Sequence, residues 1–214
     1  MANLVKYYSR SRHPKGFWGK RVLKEMNGDA HAALPEWALD KFQINEGFSI
    51  LDIGCGGGAN IRRMLALEPT ATATGIDISP LSLAKTLDEN YHAYVDKRFV
   101  VMGGNIMQMP FAREVFDVAT AFETIYYWPS LDSGIIEAMR VVKPGGIIVI
   151  ANEMDGLSPE DDILAHKVGG MRIYTPEEIE QSMAESGLED IKVWQDEERH
   201  CVCVIGKKST KASQ

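Results

Sequence analysis

The chain is poor in the features that mark secreted, membrane-spanning or nucleic-acid-handling proteins. Three of its 214 residues are cysteine, Cys55, Cys201 and Cys203, an odd number without the spacing of a metal site. Cys201 and Cys203 flank Val202 and would share one strand face, too close along a single chain to form a good disulfide. Reduced thiols, no metal centre and a reducing compartment are therefore expected. No uninterrupted apolar run is long enough to span a bilayer and nothing resembles a signal peptide, so a cytoplasmic location without membrane contact follows as the default. No internal repeat is visible. Positive charge is also in deficit, with 23 Lys and Arg against 30 Asp and Glu and a net charge of −7, which argues against a nucleic-acid surface.

That deficit is uneven. Lys6, Arg10, Arg12, Lys15, Lys20, Arg21 and Lys24 all precede the first acid, Glu25. Such an arm either holds an anion, from a substrate or a cofactor, or forms a solvated basic face.

What is present is organised around residues 49–59, SILDIGCGGGA. Ser49, Ile50, Leu51 and Ile53 read as a buried parallel strand. Gly54, Gly56, Gly57 and Gly58 permit backbone angles and close approach that a side chain would block. Residues 59–67 open a helix. A strand passing through a glycine turn into a helix start presents backbone N–H groups beside a crevice, where open α/β sheets bind nucleotide-like ligands. Gly54, Gly56 and Ala59 satisfy the G-x-G-x-x-G/A pattern of dinucleotide enzymes, with Asp77 ending the next strand near the spacing of a ribose-binding acid. Asp52 separates the alternatives, because a buried carboxylate needs a partner and a pyrophosphate would repel it, whereas an ammonium group would not.

Asp52-Ile53-Gly54-Cys55-Gly56 followed by Gly75-Ile76-Asp77 resembles the cofactor motifs of class I S-adenosylmethionine-dependent methyltransferases, and this chain looks like a small bacterial-type single-domain member. The resemblance implies that the glycine loop, with Asp52, Gly54, Cys55 and Gly56, lies under the methionine half of S-adenosylmethionine. It implies that Asp77, with Ile78 beside it, binds both ribose hydroxyls through the two acceptors of a carboxylate. The loop Gly103-Gly104-Asn105-Ile106 would meet the adenine, with Asn105 standing where the family usually has an acid and its amide oxygen serving as the acceptor. Arg140-Val141-Val142-Lys143-Pro144-Gly145-Gly146 is similar to a further family segment.

Taken in order, Phe17, Trp18, Val22 and Met26 recur at helical spacing, predicting an amphipathic helix over 17–27 with its lysines and arginines outward and a stop at Asn27-Gly28-Asp29. Pro35 suits the first turn of a second helix reaching about Gln43. These helices resemble the family's N-terminal cap. His31, just before the second, is either a base, a cofactor contact or a partly buried helix-end residue. Residues 71–77 predict a second strand, and Ser79-Pro80 a capped helix start with Ala84, Leu87, Tyr91 and Tyr94 as a core stripe. Residues 98–102, 116–122 and 147–151 predict three more strands, alternating with helices as in a parallel sheet with right-handed crossovers. Thr175-Pro176-Glu177-Glu178 is a capping box for a helix closing at Gly187. Strands at 189–195 and 200–206, joined by residues 196–199, predict an antiparallel hairpin.

The expected fold is α/β, a doubly wound, mostly parallel seven-stranded sheet with helices on both faces and an antiparallel last strand. Its expected parts are a cap at residues 1–47, a Rossmann-like core at 48–206, a lid at 153–174 and a tail at 207–214. His166 and Arg172 are candidate substrate contacts on the lid.

Residues 123–129, ETIYYWP, follow the fourth strand, where the transferred methyl group should sit. Tyr126, Tyr127 and Trp128 offer π faces for a sulfonium or a cationic acceptor, or else plug the crevice. Glu123 anchors an amine or takes a proton. Glu123, Tyr126 and His31 are thus the candidate catalytic residues, with Glu123 and Ile106 also against the cofactor. The expected activity is methyl transfer by in-line displacement to a small molecule. An amine or thiolate acceptor needs only alignment, and a hydroxyl or carbon acid needs a base. A dinucleotide-dependent oxidoreductase and a non-catalytic S-adenosylmethionine-binding protein are the alternatives. The acceptor and the oligomeric state are left open.

Overall fold

The computed structural model describes residues 1–28 and 31–210. Five apolar segments, β1 (Ser49–Ile53), β2 (Thr72–Asp77), β3 (Phe99–Gly103), β4 (Phe116–Phe122) and β5 (Val142–Asn152), form the parallel part of the sheet. β6 (Leu188–Asp196) and β7 (Cys201–Lys208) make an antiparallel hairpin. β7 is inserted antiparallel between β5 and β6, giving the order β3-β2-β1-β4-β5-β7-β6. The chain leaves β1 toward one edge and later crosses back to β4, so the loops after these neighbouring strands part and open a crevice at their carboxyl ends.

Strand alternation sorts the core into two layers. Leu51, Ile53, Ala119, Ala121, Ile148 and Ile150 face α7 (Leu131–Val141) and α9 (Pro176–Glu185). Ile50, Val118, Val149, Ala151, Cys201 and Cys203 face α3 (Ala33–Leu39) and α4 (Ala59–Leu67). The three cysteines are free and buried, and burial pushes the Cys203 thiol up to about 12. A third cluster sits above the strand ends. There Tyr8 of α1 (Ala2–Ser11) meets Tyr126, Met154, Met171 and Leu164 of α8 (Pro159–Val168).

Several local expectations hold. α4 begins at Ala59, α5 (Pro80–Glu89) is capped by the Ser79 hydroxyl, and Thr175 and Glu178 form the capping box of α9. Others need correction. α1 was not foreseen. α2 (Gly16–Met26) leaves Phe17 75% and Trp18 51% exposed and buries Gly19, Val22 and Leu23 instead. The cause is close docking: a side chain at Gly19 would meet the Pro14 backbone at 2.7 Å. Asn27 caps α2, while Asp29 lies outside the described residues. α3 ends at Leu39, short of Gln43.

Tyr91 and Tyr94 are exposed rather than core, because the helix breaks at Asn90 and restarts as α6 (Tyr91–Val95). The face that α5 buries is polar: Ser82, Thr86 and Asn90. It serves the glycine loop, with Thr86 donating to the Gly56 carbonyl and Asn90 to that of Gly58. The expected turn at residues 143–146 is absorbed into β5, whose Val142 pairs with Phe116 ahead of a register shift. Lys207 and Lys208 belong to β7, so the tail starts later than expected; residues 211–214 lie outside the described part.

Ser79 joins the cap to the sheet. Fully buried, it accepts from the Ser82 N–H at 3.3 Å and donates to the Pro14 carbonyl at 3.0 Å. Ser79→Ala removes a helix cap and strands a buried carbonyl, and is expected to cost about 1–2 kcal/mol in urea unfolding. An unchanged midpoint would show that the tie carries no stability.

Candidate active site

A cavity of about 320 Å³ opens at the carboxyl ends of β1, β2 and β4, within the size range of small-ligand sites. Its floor is the glycine loop. Gly54, Gly56 and Gly58 have φ of +74°, +51° and +85°, which L side chains rarely adopt. The space their side chains would take is already filled: at Gly54 by Thr124, at Gly58 by Thr86 and Asn90, and at Gly57 by Asn27. Gly54, Gly57 and Gly58 are therefore required by the protein's own packing, before any ligand is considered.

Four of the loop amides already have partners. Gly54 and Cys55 both donate to the Ile76 carbonyl, Gly58 donates to that of Cys55, and Gly56 donates to Asp77 Oδ2 at 3.0 Å. The expectation of free N–H groups does not hold for these four. A pyrophosphate would need those donors, and a nucleoside with no phosphate does not.

Asp77 lines the cavity. Its other oxygen accepts from Ser79 N–H at 2.8 Å, so each oxygen has one amide partner and keeps acceptor capacity. Burial raises its pKa against the opposing pull of those two amides. Asp52 is placed differently. It does not line the cavity, lies 2% exposed beneath the loop, and accepts from Thr120 Oγ1 at 2.8 Å. Its neighbour across the sheet is Thr120, which supplies the partner expected of an ammonium group. Burial, followed by the charge of Asp77, lifts its pKa to about 7 against that hydrogen bond.

Gly54, Cys55, Gly56, Ile78, Asn105 and Ile106 all border the cavity. The Cys55 sulfur turns inward, accepting from Thr86 at 3.5 Å and filling the space above Gly75. Asn105 Oδ1 accepts from Met107 N–H in its own loop, so that oxygen already has a partner.

At the far wall the sequence produces a constellation of acids. Glu123 is the first residue after β4 and Glu153 the first after β5. Glu123 turns out of the strand at φ +58° while its N–H still bonds the Ala151 carbonyl. Its carboxyl accepts from Tyr126 OH at 2.8 Å and from the Glu153 N–H. Burial first, then the charge of Glu153, raises its pKa to about 8. His31 Nδ1 lies 3.5 Å from Glu153 Oε1, and its ring stacks on Tyr7 at 5.4 Å. The hydrogen bond that His31 donates to Glu153 raises the His31 pKa, opposed by partial burial.

His31 and Glu123 thus meet at the cavity. Tyr126 does not: it is 1% exposed behind the wall, with its hydroxyl on Glu123 and accepting from Met154 N–H. Tyr127 and Trp128 do line it. On the lid, Arg172 pairs with Glu178 and lies over Tyr174, and His166 is exposed on α8; neither reaches the cavity. Of the basic arm, Arg12 is at the wall. Sequence reasoning missed Glu153, Tyr7, Tyr8 and Ser11. The rule that singled out Glu123, an acid directly after a parallel strand, would have found Glu153 had β5 been extended by one residue.

A mostly parallel doubly wound sheet, with an acid ending β2 at the crevice where the strand order reverses, defines a Rossmann-like nucleoside-binding protein. Residues 51–150 match the family described as methyltransferase domain. A relative from Amycolatopsis mediterranei (strain S699), 27-O-demethylrifamycin SV methyltransferase, is 32% identical over 185 residues, covering 80% of this chain and 68% of that protein. The 24-methylenesterol C-methyltransferase 3 of Arabidopsis thaliana is 33% identical over 156 residues, 70% of this chain; the aligned part spans 43% of that protein. An Aquifex aeolicus S-adenosylmethionine-dependent methyltransferase has the same fold, with a TM-score of 0.71 at 17% identity over 86% of this chain and 96% of that one. The chain belongs to the S-adenosylmethionine-dependent methyltransferase family. Its cofactor is S-adenosylmethionine, and the residues present fit it: a carboxylate with acceptor capacity at the end of β2, and a glycine loop bordering the cavity. Among the described residues there is no helix long and apolar enough to cross a membrane.

The acid wall sets a pH dependence. Glu123 holds its proton up to about pH 8 in the folded protein against 4.5 ordinarily, so between those values the unfolded chain binds fewer protons and stability falls as pH rises. Asp52 acts in the same sense between 3.8 and about 7, and the raised His31 does so above 6.5. Urea unfolding should therefore show stability declining from about pH 5 to about pH 8, with a shallower decline in Glu123→Gln. A rising profile, or the same slope in the variant, would contradict this account.

Proposed function

We propose that this protein transfers the methyl group of S-adenosylmethionine to a small, largely apolar acceptor that must give up a proton, a hydroxyl or a carbon centre, with the His31–Glu153 pair as the base. The observation that carries this is the 3.5 Å approach of Glu153 to His31 Nδ1 at the cavity wall. A carboxylate at Nδ1 fixes the tautomer and leaves Nε2 as the proton acceptor, and the resulting imidazolium is stabilised by the same carboxylate. An amine acceptor would need alignment alone, so such a pair would have no work there. The aromatic and apolar wall of Tyr7, Leu34, Pro35, Tyr127 and Trp128 suits an apolar body. The names of the relatives, a sterol C-methyltransferase and a rifamycin O-methyltransferase, agree with acceptors of that kind.

When bound, the sulfonium supplies an electrophilic methyl group. In this reading Asp77 receives the ribose hydroxyls, Ile78 and Ile106 flank the adenine, and the Gly54–Gly56 backbone lies along the methionine half. Asp52 acts from below as a buried acid held by Thr120. Glu123, protonated through neutral pH, accepts from Tyr126 and from the Glu153 N–H through Oε1 and donates into the cavity through Oε2. Residues 1–47 serve as the cap and 153–174 as the lid; α1 and α8 meet over the site through Tyr8 and Leu164.

Calorimetry with S-adenosylhomocysteine should show binding that Asp77→Ala weakens by about tenfold or more, the loss of two charge-assisted hydrogen bonds. His31→Ala and Glu153→Gln should each lower turnover of a sterol or terpenoid alcohol by roughly 10²–10⁴-fold while leaving that affinity nearly unchanged. Tight nicotinamide dinucleotide binding would refute the cofactor assignment. Turnover confined to amines and indifferent to His31→Ala would refute the base.

A further inference from the structure

α1 and α2 each have two sides, and methyl transfer draws on only one of them. The inner side walls the cavity, through Tyr7, Tyr8, Ser11 and Arg12 ahead of α2 and through Met26 and Asn27 at its end. α2 buries Gly19, Val22 and Leu23. Phe17, Lys20, Arg21 and Lys24, spaced by three and four residues, therefore share its opposite face, and all four are exposed. Phe17 stands edge-on to Trp18 with the ring centroids 5.5 Å apart, and both rings are left in water. One exposed aromatic residue is ordinary; two in contact make a patch.

The patch is set among cations that nearby acids do not balance. Residues 1–28 carry Lys6, Arg10, Arg12, Lys15, Lys20, Arg21 and Lys24 against one acid, Glu25. Glu25 is committed to Arg21 at 2.9 Å, and Arg10 lies over the Trp18 ring at 4.6 Å. α5, packed beside α2, presents Asp88 and Glu89, and these are held by Lys85, with Arg62 and Asn27 also on Glu89. α8, packed on α1, exposes Glu160 and Asp162 in its first turn. Lys6, Lys15, Lys20 and Lys24 have no ion pair among the described residues. Even with Glu160 and Asp162 set against it, this surface keeps an excess of positive charge in a chain of net charge −7.

We infer that the outer face of α2 rests on an anionic lipid bilayer, with Phe17 and Trp18 entering the headgroup region and Lys20 and Lys24 against lipid phosphates. Aromatic rings gain from the boundary between water and hydrocarbon, and lysines gain from the negative potential of an anionic leaflet. The lack of a long apolar run excludes a spanning segment and not a surface contact, which needs none. The choice of a membrane rests in part on the apolar acceptor proposed above. A compound of that kind partitions into lipid, and helices that touch lipid on one side and wall the cavity on the other shorten its path to the methyl group.

Cosedimentation of the full chain with vesicles of equal parts phosphatidylcholine and phosphatidylglycerol tests this. The protein should pellet with them, far less with phosphatidylcholine alone, and added salt should release it. Phe17→Ser/Trp18→Ser and Lys20→Glu/Lys24→Glu should each weaken binding by about tenfold or more. Both double variants should keep the melting curve and the S-adenosylhomocysteine affinity of the parent, as evidence of folding. Failure to pellet with the anionic vesicles, or equal binding by the aromatic variant, would overturn the inference. Tighter retention of a single-stranded RNA would assign the face to a polynucleotide, and a dimer that the aromatic variant dissolves would assign it to a second copy of the chain; either overturns it too. The assay contains no acceptor, so turnover confined to water-soluble amines would remove the proposed acceptor and leave the vesicle result standing.

Discussion

Two neighbouring parallel strands that end level with one another, each followed at once by a glutamate, create the constraint on which the upper half of the molecule depends. Glu123 and Glu153 cannot both be ionised cheaply beside a cavity walled by aromatic rings. Burial of Glu123 is complete enough that its pKa rises to about 8, and its carboxyl is held by Tyr126 and by the backbone of Glu153 itself. Glu153, left at the surface of the cavity, has His31 as its counterpart. The cap is thereby bound to the strand ends by electrostatics as well as by packing, since His31 precedes α3 and stacks on Tyr7 of α1. The α1 contribution is reinforced in its next turn, where Tyr127 OH donates to the Tyr8 carbonyl at 2.8 Å and shares a hydrogen bond with Ser11.

The two aspartates named by sequence differ in the same terms. Asp52 and Asp77 end adjacent parallel strands, yet Asp77 stands at the mouth and Asp52 below it. The register explains why. Asp52 is paired with Gly75 on one side and Thr120 on the other, one step inside the sheet, where a hydroxyl from β4 is its available donor. Asp77 is the last residue of β2 and has turned into the loop, where Gly56 and Ser79 present amides to it. A difference of two register steps separates a buried structural acid from one that can meet a ligand.

Much of this was legible in the chain. The glycine loop, the alternation of strands and helices and the terminal hairpin follow from local signals, turn residues, caps and apolar runs, that tertiary context does not override. The stripes that failed are those where a helix docks through its small or polar face. α2 packs through Gly19 and exposes Phe17 and Trp18; α5 packs through Ser82, Thr86 and Asn90 because the loop beneath it offers carbonyls. Hydrophobicity carries no record of such contacts. α1 escaped notice because its buried residues number one, Tyr8, and its partners, Tyr126 and Leu164, lie far along the chain. Tyr126 and Tyr127 are consecutive and chemically alike, and the 3-10 turn at Ile125–Tyr127 sends one behind the wall and the other onto it, a division that composition cannot express.

The length of α3 ties the two ends of the sheet together. Its first turn carries Leu34 and Pro35 to the cofactor cavity, with His31 just before it. Its early stop at Leu39 leaves the lower β5-β7-β6 face without a roof. A longer helix in this position would cover the half-buried Ile147 and Trp194 more completely, and would set that apolar surface against lysines that cannot follow it into the core. Lys143, Asp117, Asp190, Lys192 and Lys207 border this lower face and make such a helix costly, because each charged group it covered would lose its water. The short helix and the charged rim are therefore one arrangement: charge keeps the lower face in contact with solvent, while the same helix, unlengthened, still delivers the residues that wall the upper cavity.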